Sequence, residues 1–178
     1  TNAQSRIFEE SLRKHSVPYR IYGGFSFYDQ KIIKDVLAYF RLIVNPSDEE
    51  AFKRIVNYPT RGLGDVTVGK VLAAAAEHGV SVWEVMAHLD KYLLNVNAGT
   101  KNKLANFHQM ISLCMDKQEN AYELGQRVLK ESGIMAEAYR DNSLESKEMR
   151  DNLSELLNGM SSFVEMQQEV GETDRITL

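Results

Sequence analysis

Hydrophobic positions along this chain recur mainly three and four residues apart, the spacing that turns one face of a helix inward, and short polar or glycine-bearing breaks separate the runs. The pattern predicts a mainly α protein. Ile7, Phe8 and Leu12 share one side of a first helix, capped by Asn2 and running to about residue 15. Residues 17–22 alternate and are rich in β-formers, a short strand that ends at Gly23 and Gly24. A helix over 29–45 carries Ile33, Val36, Leu37, Phe40 and Val44 at helical spacing, and Pro46 stops it. Ser47 and Glu50 have capping-box spacing for the next helix, over 48–57, with Phe52, Ile55 and Val56 inward.

Beyond residue 65 an alanine-rich helix over 66–78 ends at Gly79, a residue type suited to the position after a helix. Ser81 and Glu84 repeat the capping-box spacing for a short helix bearing Trp83, Val85 and Met86, and 92–97 reads as loop. Thr100 is expected to cap a helix over 101–117, apolar at Leu104, Phe107, Ile111 and Cys114. A helix over 121–132 stops at Gly133, a short one follows around 135–139, and 141–146 is polar and expected to be exposed. The last helix, over 147–170, is apolar at Leu153, Leu156, Leu157, Met160, Phe163 and Val164.

Between two of these helices lies Pro59-Thr60-Arg61-Gly62-Leu63-Gly64-Asp65-Val66-Thr67. Gly62 and Gly64 permit positive φ and let another molecule approach the peptide N–H groups. The helix that follows would add the free N–H groups and partial positive charge of its first turn, and Arg61 a full charge. That combination suits a phosphate. Read by itself, the same nonapeptide is equally a steric turn between helices.

Composition narrows the classes. No apolar run is long enough for a membrane span, and the start lacks a charged-then-apolar leader. The single Cys114 excludes an internal disulfide and a multi-cysteine metal site, and fits a reducing compartment. The net charge of −4 is unevenly spread: residues 1–70 hold 11 Lys+Arg against 8 Asp+Glu, residues 71–178 hold 10 against 17. An anion-binding surface therefore belongs in the first part. No glycine-rich loop ends in Lys and Ser or Thr, so the phosphate loop of a nucleotide hydrolase is missing. His15, His78, His88 and His108 share no ligand spacing, and Glu9-Glu10 and Asp48-Glu49-Glu50 read as solvated helix faces. These residues predict no catalytic centre and no metal site.

Four blocks then occur in a specific order: Thr1-Asn2-Ala3-Gln4-Ser5-Arg6; Pro18-Tyr19-Arg20-Ile21-Tyr22-Gly23-Gly24; Ile33-Lys34-Asp35 with Ala38-Tyr39 and Arg41-Leu42-Ile43; and Phe52-Lys53-Arg54-Ile55-Val56-Asn57 running into Pro59-Thr60-Arg61-Gly62-Leu63-Gly64. In order and spacing they resemble the UvrD/PcrA/Rep family of superfamily 1 DNA helicases. The similarity is strong over residues 1–72 and continues weakly through Arg150, Asn152, Leu153, Glu155 and Leu156. Gln30, Ile32 and Ser26 depart from the family, whose members usually carry Arg, Glu and often a basic residue there.

The resemblance implies a mainly α fold: a multi-helix 2B-like domain with a helix-hairpin-helix turn, preceded by a small α/β remnant of a RecA-like domain. It divides the chain into a partial 2A segment over 1–45 and the helical 2B-like DNA-binding insertion over 46–178, truncated at its C-terminal end. It implies a piece of an ATP-dependent 3′-to-5′ DNA helicase, with ATP and Mg used by the full-length enzyme and no cofactor held by this piece. By family correspondence Asn2 and Arg6 contact single-stranded DNA, while Thr60, Arg61, Gly62, Leu63, Gly64 and Thr67 contact the duplex backbone. Expected partners are a duplex/single-strand junction, the helicase domains 1A, 1B and 2A, and repair proteins, in the cytoplasm and away from membranes. Two other readings compete: a non-catalytic regulatory or protein-docking helical domain, which the acidic second part favours, and a free-standing DNA-binding module.

Overall fold

A computed structural model describes residues 21–22, 25–115 and 118–170 of the 178. The predicted first helix, with Asn2 and Arg6, and most of the predicted strand over 17–22 lie outside the described residues. What is described of that strand pairs as a small antiparallel hairpin, β1 (Ile21–Tyr22) with β2 (Phe25–Ser26), in the register Ile21 to Ser26 and Tyr22 to Phe25. A 3-10 turn (Phe27–Asp29) leads from it into eight α-helices among the described residues.

The first of these, α1 (Lys31–Val44), is central. Its Ile32, Ile33, Val36, Leu37, Ala38, Tyr39, Phe40 and Leu42 are all buried, so it is covered on more sides than the one apolar face expected of it, while Val44 is only half-buried. It packs against α2 (Glu49–Ile55), α5 (Ala98–Leu113), α6 (Ala121–Glu131) and α8 (Leu144–Glu169). One buried cluster runs from Phe27 to Val164 without a break at residue 45. Each large side chain wholly removed from water contributes roughly 1.5–3 kcal/mol to that cluster. Asp35 on α1 is buried too, and its carboxylate accepts from Arg54 Nε at 2.8 Å and from Lys31 Nζ at 2.7 Å. Those two cations make an otherwise costly buried charge tolerable and tie α2 to α1.

Helix starts correct several expectations. Asp48 caps α2, its carboxylate accepting from the Ala51 amide at 3.0 Å, and Ser47 is not the cap. The Ser47 N–H donates instead to Asn45 Oδ1, because the chain leaving α1 turns one residue further before the helical bonds begin. Likewise α5 starts ahead of Thr100: the Asn97 side chain accepts from the Thr100 amide at 2.8 Å, so Thr100 supplies the donor and Asn97 the cap. The expected exposure of 141–146 fails at Ser146, which is buried because α8 begins at Leu144, capped by Ser143, and carries it inward. Its hydroxyl donates to Asp141 Oδ1 at 2.7 Å. Ser81 caps α4 (Val82–Ala87) as expected, by accepting from the Glu84 amide at 3.1 Å. The Glu84 carboxylate accepts from the Tyr92 hydroxyl at 2.6 Å. Gly79 ends α3 (Asp65–His78) at φ +62, as its glycine predicts.

On the face where α4 meets α5, the His108 ring stacks on Trp83 with centroids 4.0 Å apart and planes at 30°. Its Nε2 is buried without a hydrogen-bond partner among the described residues. Burial, and then the nearby His88, hold the His108 pKa below the ordinary imidazole value. The fold thus favours neutral His108. Its contribution to stability is complete above the unfolded pKa of roughly 6.5 and declines as pH falls below it toward the lower folded value. Denaturant titrations followed by fluorescence of Trp83, the single tryptophan, should show a lower midpoint at pH 5.5 than at pH 7.5, with a smaller difference in His108→Phe. An equal drop in both proteins would remove His108 as a source of the pH dependence.

Candidate nucleic-acid interface

The turn between α2 and α3 is built from Asn57 outward. Asn57 Oδ1 accepts two amides, Arg61 N–H at 2.7 Å and Leu63 N–H at 3.1 Å, which folds the intervening residues into a tight projection. Leu63 is the anchor of that projection, its side chain almost wholly buried. Thr60, Gly62 and Gly64 are exposed, and Thr67 is half-buried. Gly62 sits at φ +75, where a side chain would be strained, so this glycine is a backbone requirement. Gly64 is the N-cap of α3 in ordinary extended backbone, φ −77 and ψ −179, and provides no side-chain cap. No hydrogen bond among the described residues uses the amides of Gly62, Gly64, Asp65, Val66 or Thr67. The N-terminal half of the projection is thus closed on itself, while the C-terminal half presents unbonded N–H groups at the positive end of a 14-residue helix.

Arg61 does not reach outward. Nη1 donates to the carbonyls of Ile55 at 2.9 Å, Val56 at 3.1 Å and Tyr58 at 3.0 Å. Nη2 donates to the Ser132 carbonyl at 3.0 Å and to the Tyr39 hydroxyl, which itself donates to the Tyr58 carbonyl. The guanidinium also lies over the rings of Phe107, at 5.2 Å, and Tyr39, at 5.8 Å. Ile55 and Val56 close α2, and Ser132 is the C-cap of α6, so the cation satisfies carbonyls at the negative ends of two helices. Burial pushes the Tyr39 phenol up to about 12, against the lowering effect of Arg61, and it stays a neutral donor. The charge assigned to the turn from sequence is therefore spent behind it.

The arrangement brings Thr60, Gly62, Gly64 and Thr67 to one exposed projection, with Arg61 and Leu63 beneath them as supports. Leu63 contributes its place in the chain but no exposed side chain. Asp65, exposed in the first turn of α3, is a negative charge on the same projection. Sequence reading missed three participants. Asn57 had a local signal, an amide side chain a few residues ahead of a glycine turn. Tyr39 and Lys103 had none, because only the packing of α1 and α5 brings them close. The Lys103 side chain lies across Gly62, with Nζ 2.7 Å from the point where a Cβ on that glycine would stand. Among the described residues no group of His, Cys, Asp and Glu could hold a metal ion, and no helix is long and apolar enough to cross a membrane.

Comparison with known proteins gives one family. The model of the UvrD-like helicase C-terminal domain matches residues 1–177. The ATP-dependent DNA helicase PcrA of Bacillus subtilis (strain 168) is 38% identical over 165 residues, covering 92% of this chain and 22% of that protein. The proteins of the same description from Staphylococcus aureus (strain Mu50) and Staphylococcus epidermidis are each 34% identical over 167 residues, 93% of this chain and 23% of theirs. The chain spans about a fifth to a quarter of the length of these relatives.

Proposed function

From the premise that this chain belongs to the UvrD-like helicase C-terminal domain family, we propose that it is the part of an ATP-dependent 3′-to-5′ DNA helicase that holds the duplex ahead of the single-strand junction. The observation that carries the reading is the exposed turn at Gly62 and Gly64, opening onto the unbonded first-turn amides of α3. Thr60, Gly62, Gly64 and Thr67 meet the phosphate backbone, and Arg61 and Leu63 hold the turn in shape. Asn2 and Arg6 add a single-strand contact by family correspondence. Backbone contacts carry no base information, so binding is sequence-independent and weakens with salt.

Residues 1–45 correspond to the end of a RecA-like 2A part and 46–178 to the helical 2B insertion, although α1 packs with the helical body. No phosphate-loop pattern occurs in this sequence, and by family correspondence nucleotide chemistry falls between domain 1A and the remainder of 2A, outside this segment. ATP and Mg supply the stepping; this segment supplies grip, in a cytoplasmic enzyme that works with repair proteins. The acidic balance of residues 71–178 favours a second role for that part, regulatory or protein-docking.

The test uses the complete protein with a 3′-tailed duplex, the tail alone, and a second duplex of different sequence, at two salt concentrations. Affinity should rise when the duplex is added, be equal for the two sequences, and fall more steeply with salt than for the tail alone. A tail that binds as tightly as the tailed duplex would rule out duplex grip. Strand displacement from a 5′ tail in preference to a 3′ tail would reverse the polarity.

A further inference from the structure

We infer that Lys103, on α5, is the cation of the duplex-binding turn, supplying from a distant helix the charge that Arg61 withholds. The inference rests on the duplex-grip reading and adds a residue to it. A turn that receives a phosphate needs net positive potential. The projection lacks it: the Arg61 guanidinium is committed to four backbone carbonyls and the Tyr39 hydroxyl, and Asp65 places a carboxylate on the first turn of α3. Amide dipoles at the helix start are partial charges, and Asp65 opposes them.

Lys103 answers that deficit by position. Its exposed side chain runs over Gly62, with Nζ, Cε and Cδ at 2.7, 3.3 and 3.5 Å from the ideal Cβ position. Other lysines nearby are engaged: Lys101 with the Asp90 carboxylate at 2.9 Å and Lys70 with the Asn95 carbonyl at 2.8 Å. Lys103 has no hydrogen-bond or ion-pair partner among the described residues. A compact, strongly hydrated ammonium held beside exposed amides is suited to a phosphate oxygen as a point charge. Gly62 then has two reasons to be glycine, its φ of +75 and the room it leaves for the ammonium. The aliphatic stem also packs on the turn, so a purely structural role must be separable from a charge role.

Lys103→Met keeps the stem and removes the charge; Lys103→Arg keeps a charge. Binding of the complete protein to blunt duplex is measured across a salt series for both, alongside Gly64→Asp, with thermal melts as the check on folding. The expected result is a salt slope smaller by about 0.9 in Lys103→Met, affinity about three- to tenfold weaker at low salt, and recovery of the slope in Lys103→Arg. An unchanged slope in a folded Lys103→Met, with Gly64→Asp still weakened, overturns the inference and leaves the duplex-grip reading standing. If Gly64→Asp also binds like the parent protein, the reading itself fails. A lower melting temperature with an unchanged slope assigns Lys103 to packing and likewise overturns the inference.

Discussion

Arg61→Ala should destabilise the folded protein by about 3–5 kcal/mol and lower its melting temperature by roughly 10 °C or more. Five hydrogen bonds end on this guanidinium, and the carbonyls of Val56, Tyr58 and Ser132 sit where water would have to replace it. Part of the loss is cushioned, because the Ile55 carbonyl also accepts from the Tyr58 amide and the Tyr58 carbonyl also accepts from the Tyr39 hydroxyl. Arg61→Lys should recover little, since an ammonium has three donors and none of the planar fork that spans two helix ends. Duplex affinity should fall with stability in both variants, tracking the unfolded or loosened fraction. If Arg61→Ala melts like the parent protein while losing duplex affinity, Arg61 faces the DNA and the inward geometry does not govern binding.

That distinction bears on what the sequence could disclose. The spacing of Ile33, Val36, Leu37 and Phe40 marked α1 as a helix, because helical period is a local property. It did not mark α1 as the central helix, since burial on the remaining sides depends on α5, α6 and α8 arriving around it. The glycine turn was legible for the same local reason, as two residues without Cβ between two helical runs. Its charge was not legible. In a sequence Arg61 is a cation beside a turn, and only tertiary packing shows that the ends of α2 and α6 converge on it. Lys103 is the converse: an unremarkable lysine in a helix, brought over Gly62 by the docking of α5. Caps erred by one to three residues, at Ser47 and Thr100, because Ser, Thr, Asp and Asn compete as neighbours and the backbone geometry decides between them.

The division of labour at the turn follows from the low polarity of its interior. A guanidinium placed among the Tyr39 and Phe107 rings and helix-end carbonyls is held in one orientation, which makes it a good support and a poor mobile ligand. On the proposed duplex-grip reading, contacts to a phosphate backbone would be better served by amides on a rigid turn and one flexible ammonium at its rim. On that reading rigidity and adaptability fall to different residues: Arg61, bonded behind the turn, and Lys103, lying across Gly62.

Gly64→Asp should raise stability and lower duplex affinity, opposite signs that separate folding from function in one substitution. Gly64 is the N-cap of α3 with φ −77 and ψ −179, a conformation open to any residue, and a Cβ there would meet nothing within 4 Å. Aspartate at that position can accept from the first-turn amides, which is worth a few tenths of a kcal/mol over glycine, and it narrows the unfolded ensemble by a similar amount. The folded chain therefore has no steric or conformational reason to keep glycine there. The proposed duplex grip would supply the reason: for a phosphate to approach, the amides must stay open and no side chain should stand over them. A carboxylate at 64 would occupy those amides and set a like charge against the DNA, weakening duplex binding roughly ten- to a hundredfold while leaving the single-strand tail contact unchanged. Gly64→Ala, uncharged and without a clash, should fall between the two in duplex affinity, without the added capping stability. The pair of measurements is a thermal melt and a duplex titration at low salt. A Gly64→Asp protein that is more stable and binds duplex as before would mean that the glycine turn faces something other than the phosphate backbone.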